Sequence, residues 1–258
     1  MIHHTRTGTA LAICCAAGAA FAQPAELLTN GGFESGDLTA WVSVPDEGAV
    51  TEGRSEPDCG YMNPHTPFAG RYFFSCAVGD GTPPGTAFVR IRQAVDITAE
   101  PLIALGNSFV IASCRVSGAT GCNGIPSDDL ARVTVEHRRD GDTGDLLQVS
   151  VSDALDPAPG AWRPLEVREP LADGADTLIY EFEGELDAGF ASIDLGVDDT
   201  SLRLCHADLN GDLVVNTQDV LQLLNLYQSR DPRIDFNLDG QINTSDILVY
   251  LNLWQSRC

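Results

Sequence analysis

The chain has 258 residues and a formal net charge of −22, and it contains no lysine, so that all 15 of its basic residues are arginines. An acidic chain of this kind is repelled by nucleic acid and by anionic membrane surfaces, which argues against both as partners. Beyond the first residues, no stretch approaches the ~18 consecutive apolar residues that a membrane-spanning helix needs. We therefore expect no nucleic-acid binding and no membrane insertion.

The first 22 residues have the pattern of a secretory signal peptide. Arg6 gives a positive start, residues 10–20 form a short apolar run, and Ala20-Phe21-Ala22 is a cleavage site of the small-x-small type. We predict that residues 1–22 are removed and that the mature protein is secreted, either extracellular or associated with the cell surface.

Cleavage at that site would leave an even number of cysteines, which in an exported protein predicts disulfides. These six are Cys59, Cys76, Cys114, Cys122, Cys205 and Cys258. Six cysteines allow 15 pairings, so the sequence does not fix the connectivity. Proximity along the chain favours Cys59–Cys76, Cys114–Cys122 and Cys205–Cys258, and the last pair would clasp the two ends of the C-terminal segment.

Residues 23–204 consist of short apolar or alternating segments separated by Gly, Pro, Asp and Asn. Examples are the segments Arg71–Val78, Ala87–Val95, Ser108–Val116, Ala131–His137, Leu146–Val151, Thr177–Phe182 and Ala191–Leu195. Many short strands at regular spacing are typical of an all-β sandwich. The sequence therefore predicts a mainly β fold, with a single β-sandwich domain over residues 23–204.

Two recognisable sequence motifs lie at the two ends of this domain. The first is Leu28-Thr29-Asn30-Gly31-Gly32-Phe33-Glu34, and the second is Ile193-Asp194-Leu195-Gly196-Val197-Asp198-Asp199-Thr200-Ser201-Leu202. Together they resemble the jelly-roll, galactose-binding-like domains that include several carbohydrate-binding modules. The resemblance implies a jelly-roll β-sandwich whose first and last strands hold a structural calcium between Glu34 and Asp198 or Asp199. The alternative is that Glu34 is an ordinary surface acid.

Carbohydrate binding by such folds uses an exposed aromatic platform together with polar groups. Tyr61, in a loop rich in Gly, Asn and Pro, is the predicted platform. Arg90 and Arg92 alternate along one predicted strand, so their side chains point to the same face. We predict that these three residues contact a polysaccharide, and the alternative for the arginines is a solvated face.

The C-terminal segment, residues 205–258, contains one pattern twice, at an offset of 27 residues. The first copy begins DLNGDLVVNTQD at Asp208, and the second begins DFNLDGQINTSD at Asp235. Over 23 aligned positions from Asp208, 13 are identical. A match of this extent indicates a duplicated unit.

Each copy has the spacing of a calcium-binding loop. A hard cation such as Ca²⁺ takes six to eight oxygens, with side chains at positions 1, 3 and 5, a carbonyl at 7, and further ligands at 9 and 12. In loop 1 (residues 208–219) these positions are Asp208, Asn210, Asp212, Val214, Asn216 and Asp219. In loop 2 (residues 235–246) they are Asp235, Asn237, Asp239, Gln241, Asn243 and Asp246.

Two positions depart from the usual calcium loop. Position 12 is Asp in both copies, where Glu is usual. Position 6 normally needs Gly for a sharp turn, which Gly240 provides and Leu213 does not. We therefore expect backbone strain and weaker calcium binding in loop 1.

One helix is predicted after each loop, and no amphipathic helix precedes either loop. At these residues the segment resembles a dockerin domain, the calcium-dependent plug of cellulosome-type assemblies, in a variety that ends in a terminal cysteine. The resemblance implies a small all-α module that binds two Ca²⁺ and docks to a cohesin-like or cell-surface partner. It places the partner surface at Thr217, Gln218, Leu224 and Asn225, and at Thr244, Ser245, Leu251 and Asn252. The alternative for Leu224 and Leu251 is a place in the core.

No catalytic motif is present: the chain has no GxSxG elbow, no HExxH helix and no phosphate-binding loop. We therefore predict a non-catalytic, secreted protein with a jelly-roll domain and a dockerin-like module. One alternative is a small polysaccharide-degrading enzyme, a glycoside hydrolase or lyase, because dockerin-bearing proteins are often such enzymes. Another is a structural envelope protein whose sandwich binds nothing.

Overall fold

The computed structural model describes residues 25–44, 49–52, 66–76, 88–118, 129–186 and 193–256. The predicted signal peptide lies outside the described residues. So do Tyr61, Cys59, Cys122 and Cys258.

The described residues form ten strands in two antiparallel sheets. The strands are β1 Val42–Val44, β2 Ala49–Glu52, β3 Tyr72–Ser75, β4 Phe88–Asp96, β5 Phe109–Gly118, β6 Leu130–Arg139, β7 Asp145–Val151, β8 Arg163–Pro170, β9 Thr177–Glu185 and β10 Leu195–Cys205. Sheet A has the order β1-β4-β9-β6-β7, and sheet B has the order β2-β3-β10-β5-β8. The prediction of a mainly β fold is confirmed.

From β3 onward the chain passes from one sheet to the other at nearly every connection. Strands β3, β5, β8 and β10 lie in sheet B, whereas β4, β6, β7 and β9 lie in sheet A. This is the strand order of an eight-stranded jelly roll. The short strands β1 and β2 extend the two sheets at one edge.

The two sheets enclose one hydrophobic core. On the inner face of sheet A, Val89, Ile91 and Phe182 are fully buried, and they belong to the same cluster as the buried residues of sheet B. Tyr180 crosses the core and donates a hydrogen bond from its hydroxyl to the carbonyl oxygen of Ser113, at 3.1 Å. Alternation of buried and exposed residues along each strand therefore gives each sheet one core face and one outer face.

Strand β8 is absent from the sequence prediction. Its residues Leu165, Val167 and Glu169 face inward, but four charged side chains and two prolines within eight residues obscure the alternation. The inward-facing Glu169 is satisfied because it accepts a hydrogen bond from Nε2 of His137, at 2.9 Å. The last strand is also displaced from the predicted segment Ala191–Leu195.

Strand β10 begins at Leu195 and continues to Cys205, through a bulge between Asp198 and Ser201. The polar run Asp198-Asp199-Thr200-Ser201 interrupts the apolar pattern of this strand. In the structure the bulge accommodates it: Asp199 has φ +50° and is exposed, while Asp198 remains buried.

Two helices follow the strands, α1 Thr217–Ser229 and α2 Thr244–Ser256, each directly after one of the predicted loops. Asn216 caps α1 by accepting the backbone N–H of Gln218 at 2.7 Å, and the Asp219 carboxylate accepts the backbone N–H of Asn216 in return. This reciprocal pair is a capping box, and it explains why the helix begins at this point. The predicted single helix after each loop is confirmed.

Two of the predicted disulfide pairings are wrong. Cys76 and Cys114 are free thiols that point into the apolar core of the sandwich, so neither pairs with Cys59 or Cys122. Burial raises the pKa of both thiols, that of Cys114 to about 12, which makes them unreactive at neutral pH. Cys205 is disulfide-bonded. Its predicted partner, Cys258, is outside the described part of the chain.

Candidate functional site

Loops 1 and 2 are built from matching hydrogen bonds, which begin at position 1. The carboxylate of Asp208 accepts the backbone N–H groups of Gly211 and Leu213, both at 2.7 Å. Asp235 accepts those of Asp239 at 3.1 Å and Gly240 at 2.9 Å. In both loops the side chain at position 1 therefore holds the turn that the following residues make.

Positions 3 and 5 continue the match. Asn210 accepts the backbone N–H of Asp212 at 2.9 Å, and Asn237 accepts that of Asp239 at 3.0 Å. Asp212 in turn accepts from Val214 at 2.9 Å, just as Asp239 accepts from Gln241 at 2.8 Å. The two loops thus share one backbone conformation.

The carboxylates at position 12 close the loops onto the helices. Asp219 accepts the backbone N–H groups of Asn210 at 3.2 Å and Asn216 at 2.8 Å. Asp246 accepts those of Asn237 at 3.3 Å and Asn243 at 2.8 Å. Both carboxylates are fully buried. Through these hydrogen bonds, each one ties its loop to the first turn of the helix that follows.

The chemistry of the loops fits a hard cation, because every predicted ligand is a carboxylate, an amide oxygen or a backbone carbonyl. Burial raises the pKa of the Asp208 carboxyl above its ordinary value. Among the described residues, however, no group of three or more His, Cys, Asp or Glu side chains is close enough to share one metal ion. Calcium binding by loops 1 and 2 remains a prediction.

Both loops, and not only loop 1, hold a leucine in the left-handed backbone region. Leu213, at position 6 of loop 1, has φ +64°, and Leu238, at position 4 of loop 2, has φ +56°. Gly211 and Gly240 occupy the reciprocal positions with φ +77°. The expectation that strain distinguishes loop 1 from loop 2 is therefore wrong, because each loop needs two left-handed residues and has one glycine.

We expect Leu238→Gly to be neutral or to stabilise the protein by up to about 1 kcal/mol. The left-handed conformation costs a non-glycine residue roughly 1–2 kcal/mol, and glycine's greater freedom in the unfolded chain offsets part of the gain. Leu238 is exposed, whereas Leu213 packs against a hydrophobic cluster, so Leu213→Gly should destabilise instead. Urea unfolding of the two variants would check this difference in sign.

All eight predicted partner residues are exposed on α1, α2 or the turns that precede them. Leu224 and Leu251 are 51% and 37% exposed, so the alternative that they are core residues is wrong. Two further leucines at equivalent positions, Leu221 and Leu248, are more exposed still, at 62% and 64%. Their i, i+3 spacing to Leu224 and Leu251 was the signal available in the sequence.

Neither helix carries an exposed charge. The only charged residues within α1 and α2 are Asp219 and Asp246, which are buried against their loops. In a chain of which 20% of the residues are charged, this leaves two uncharged surfaces with exposed leucines. Depletion of charge around exposed apolar side chains is typical of the centre of a protein–protein interface.

His206 lies at the base of loop 1, between the last strand and Asp208. Its Nδ1 atom is 2.7 Å from the hydroxyl oxygen of Ser108, and the ring is almost fully buried. Burial lowers the pKa of His206 from 6.5 to about 4, so the ring is neutral at pH 7.

The lowered pKa of His206 predicts how the free energy of unfolding changes with pH. A group whose pKa is depressed in the folded state contributes stability above its unfolded pKa and loses it as the pH falls toward its folded pKa. Relative to His206→Asn, the wild type should therefore lose about 2 kcal/mol of unfolding free energy between pH 7.5 and pH 4.5. Urea unfolding in the presence of a chelator would measure it, and a difference that is constant with pH would contradict it.

Glu34 and Asp198, the predicted calcium ligands of the sandwich, converge on the segment 68–72. The Glu34 carboxylate accepts the backbone N–H groups of Arg71 and Tyr72 at 3.0 Å. Asp198 accepts the backbone N–H of Ala69 at 3.0 Å, and burial raises its pKa to about 6. The structure thus brings Glu34 and Asp198 to one segment and turns Asp199 out to solvent.

The two sequence motifs at the ends of the domain, residues 28–34 and 193–202, contact each other near Glu34 and Asp198. Gly31 accepts hydrogen bonds through its carbonyl oxygen from the backbone N–H and the hydroxyl of Thr200, at 3.0 and 2.7 Å. A Cβ atom at Gly31 would lie 2.2 Å from the Thr200 carbonyl oxygen, which only glycine avoids. This close approach explains why residue 31 is a glycine. Calcium binding by Glu34 and Asp198 remains a prediction.

The outer face of sheet A carries a ladder of alternating charges. Glu183, on the central strand β9, forms ion pairs with Arg90 of β4 and Arg132 of β6. Arg132 also pairs with Glu185, and the Arg90 guanidinium stacks on the Phe88 ring at 4.1 Å. The prediction that Arg90 and Arg92 share one face is confirmed by the register, and the ladder fixes Arg90.

Arg92 differs from its neighbours because none of the described acidic groups is within ion-pair distance of it. It lies opposite Glu181 of β9, half-buried, and beside the exposed Val42 of β1. Burial raises the pKa of Glu181, against the opposing effect of Arg90 and Arg92. Glu181 is itself paired with Arg90, at 3.6 Å, so Arg92 is the arginine of this ladder that the described acidic groups leave unpaired.

A cavity of about 380 Å³ opens at one end of the same face. It is lined by Ala94, Asp96, Thr98, Gly141, Asp142, Asp176 and Thr177. Hydrogen bonds from Thr98 lower the pKa of Asp96, and those from the backbone of Asp140 lead the lowering of the pKa of Asp176. The cavity therefore offers ionised carboxylates and hydroxyls, which are good hydrogen-bond partners for sugar hydroxyls.

No protein-family model matches the chain, and no curated protein sequence matches it. Among solved structures, a cyclase from Fischerella sp. in its apo form is similar with a TM-score of 0.50 and 16% identity, over 70% of this chain and 96% of that one. The structure of TmCBM61 in complex with β-1,4-galactotriose is similar with a TM-score of 0.43 and 15% identity, over 69% and 97%.

The CBM22-1 xylan-binding domain from Paenibacillus barcinonensis Xyn10C has a TM-score of 0.44 and 19% identity, over 70% of this chain and 96% of that one. At such identities, what the chain shares with the cyclase is the fold. As for membranes, the described part of the chain has no helix long and apolar enough to cross one.

Proposed function

We propose that the chain is a secreted, non-catalytic protein that docks to a partner through a calcium-organised, dockerin-like module and binds carbohydrate with its jelly-roll domain. The partner would be a cohesin-like or cell-surface protein. Calcium in loops 1 and 2 would fix α1 and α2 relative to each other, and the helices would present the partner surface.

One observation carries the docking proposal. Loops 1 and 2 repeat the same hydrogen bonds, and the two helices after them repeat the same exposed leucines on surfaces without charge. A soluble protein gains nothing in its own stability from four exposed leucines at equivalent positions. Such patches are expected where another protein covers them.

The test is capture of a partner on the immobilised full chain, in calcium and again in chelator. The bait would be exposed to the secreted and cell-surface fractions of its source. We expect a protein that is retained only with calcium. A bait that is shown to be folded and retains nothing would contradict docking and would leave calcium, where it binds, as a stabiliser.

The carbohydrate proposal rests on the outer face of sheet A. Arg92 lies on this face outside any ion pair with a described acid, Glu181 is paired with Arg90 at 3.6 Å, and the cavity lined by Asp96 and Asp176 opens at its end. Together they offer charged and hydroxyl-compatible groups along one surface. Tyr61 is also proposed as an aromatic contact.

Affinity electrophoresis against a panel of soluble neutral and acidic polysaccharides would test this. We expect one polysaccharide to retard the protein, and Arg92→Ala to weaken that binding about tenfold, which corresponds to the loss of one charged hydrogen bond. Arg163→Ala is the matched control, because Arg163 is an exposed arginine at the edge of sheet B. Folded wild type that binds no polysaccharide would favour the structural alternative.

The enzyme alternative can be tested in the same panel. Glu181 and Glu183 project from one face of β9 at a spacing of about 6.8 Å along the strand, within the range of an inverting glycosidase. Glu183, however, is held in ion pairs by Arg90 and Arg132. Release of reducing ends that disappears in Glu181→Gln would establish the enzyme, and its absence across the panel would support binding alone.

We also propose a third calcium, held by Glu34 and Asp198 in the sandwich. Both carboxylates are directed at the same segment. Asp198 is buried, and it forms no ion pair with any described arginine. A cation there would link the first segment of the sandwich to its last strand, and it would take no part in ligand binding.

A further inference from the structure

The C-terminal module is packed onto the sandwich. Phe109 and Ile111 lie on the outer face of sheet B and are almost fully buried. They belong to one hydrophobic cluster with residues of the C-terminal module, including Leu209, Ile234 and Phe236. If the module were removed, strand β5 would present large apolar side chains to water.

Polar contacts join the same two parts. Asn107 donates from its side-chain amide to the carbonyl oxygen of Arg233, at 2.8 Å. Arg168, on the outer face of β8, donates to the carbonyl oxygen of Leu213 in loop 1, at 3.3 Å. The chain itself adds a third link, because loop 1 begins three residues after the end of β10.

Loops 1 and 2 differ in how they meet the sandwich. A cavity of about 230 Å³ lies between the two parts, and loop 1 lines it with residues 208–211 and 213, opposite Phe109 and Pro170. No residue of loop 2 lines this cavity, and none of the described hydrogen bonds of loop 2 reaches a strand of the sandwich. Loop 1 is therefore the loop that rests on the ends of strands β5 and β8.

We propose that calcium in loop 1 is a clamp that stabilises sheet B of the jelly roll, whereas calcium in loop 2 acts on its own helix. This inference rests on the proposed calcium binding and concerns what each ion stabilises. A cation that binds only the folded loop stabilises every part that must be folded for the loop to exist. Loop 1 accepts the hydrogen bond from Arg168 and lines the cavity opposite Phe109 and Pro170, whereas loop 2 meets the sandwich through the shared hydrophobic cluster, at Phe236.

Hydrogen exchange of the full chain, with calcium and with chelator, would test the clamp. At a calcium concentration of a hundred times the dissociation constant, amides of β5 and β8 should gain up to about 100-fold protection. Asp208→Asn, which removes charge from loop 1 and keeps an acceptor, should abolish this gain. Asp235→Asn is the matched control at the equivalent position of loop 2, and it should retain the gain.

Isothermal titration of calcium on the same variants separates the inference from the proposed function. Each variant should bind one calcium fewer than the wild type, and a third calcium in the sandwich is common to all of them. If each loses one calcium while both change the protection of β5 and β8 equally, the clamp is wrong and calcium binding stands. If the wild type binds none at the loops, both fail.

A variant on the sandwich side guards against an Asp208→Asn protein that does not fold. Arg168→Ala touches no predicted calcium ligand, so it should leave the number of bound ions unchanged. It should reduce the calcium-dependent protection of β8 severalfold. Unchanged protection in this variant would overturn the proposed coupling through Arg168.

Discussion

Replacing both Asp235 and Asp239 by Ala should abolish calcium binding at loop 2 and remove much of the helical signal of the C-terminal module. Each helix has only 13 residues, which is marginal for an isolated helix in water. The two side chains hold three backbone N–H groups of the loop, those of Asp239, Gly240 and Gln241. Their loss should cost about 2–4 kcal/mol before any contribution from the metal.

Far-UV circular dichroism and calcium titration would measure the two effects. The matched control is Asp153→Ala with Asp156→Ala, which removes the same charge from exposed positions far from loop 2 in the sequence. It should keep both the helicity and the metal, because the change of net charge alone relieves repulsion in so acidic a chain. Wild-type spectra that are identical in calcium and in chelator would show that calcium does not organise the helices.

Much of the sandwich could be predicted because its strands alternate in the ordinary way. Strands β4, β6 and β9 place apolar residues at every second position, and their predicted segments overlap the observed strands. Strand β8 escaped because its inward position at Glu169 is a carboxylate that His137 satisfies. A pattern of apolar residues cannot reveal an inward-facing acid whose partner lies on another strand.

The packing of the C-terminal module on sheet B left a signal that could have been read. Residues Phe109 to Ala112 form a continuous apolar run, which is typical of a strand covered on both faces. The sequence therefore indicated that something covers the outer face of β5. It could not indicate what, because that depends on where the chain returns after β10.

The conformation of loops 1 and 2 shows a similar limit. Ligand spacing identified both loops, and the capping role of Asp219 and Asp246 follows from their place at the start of each helix. The usual glycine rule concerns position 6, so it does not predict the left-handed backbone at position 4. That position is Leu238 in loop 2 and Gly211 in loop 1. Two of the predicted cysteine pairings are wrong because Cys76 and Cys114 point into the core, which their closeness to other cysteines along the chain does not reveal.

Docking through the helices predicts a strongly non-additive response to substitution. Leu224→Asp alone should lower the amount of captured partner by about twofold or less, because the equivalent surface at Leu251 remains. Leu224→Asp combined with Leu251→Asp should lower it about 100-fold, since a charge would then lie in the apolar centre of either interface. The measurement is calcium-dependent capture on the immobilised full chain.

The control places the same charges on the same helices at other equivalent positions, with Gln228→Asp and Gln255→Asp, both exposed in the last turns. It should capture as the wild type does, and circular dichroism should show all variants folded. If the double leucine variant still captures the partner, the leucine surfaces are not the docking site. If Leu224→Asp alone abolishes capture, only the first helix docks, and the duplication serves the fold of the module instead of a second binding mode.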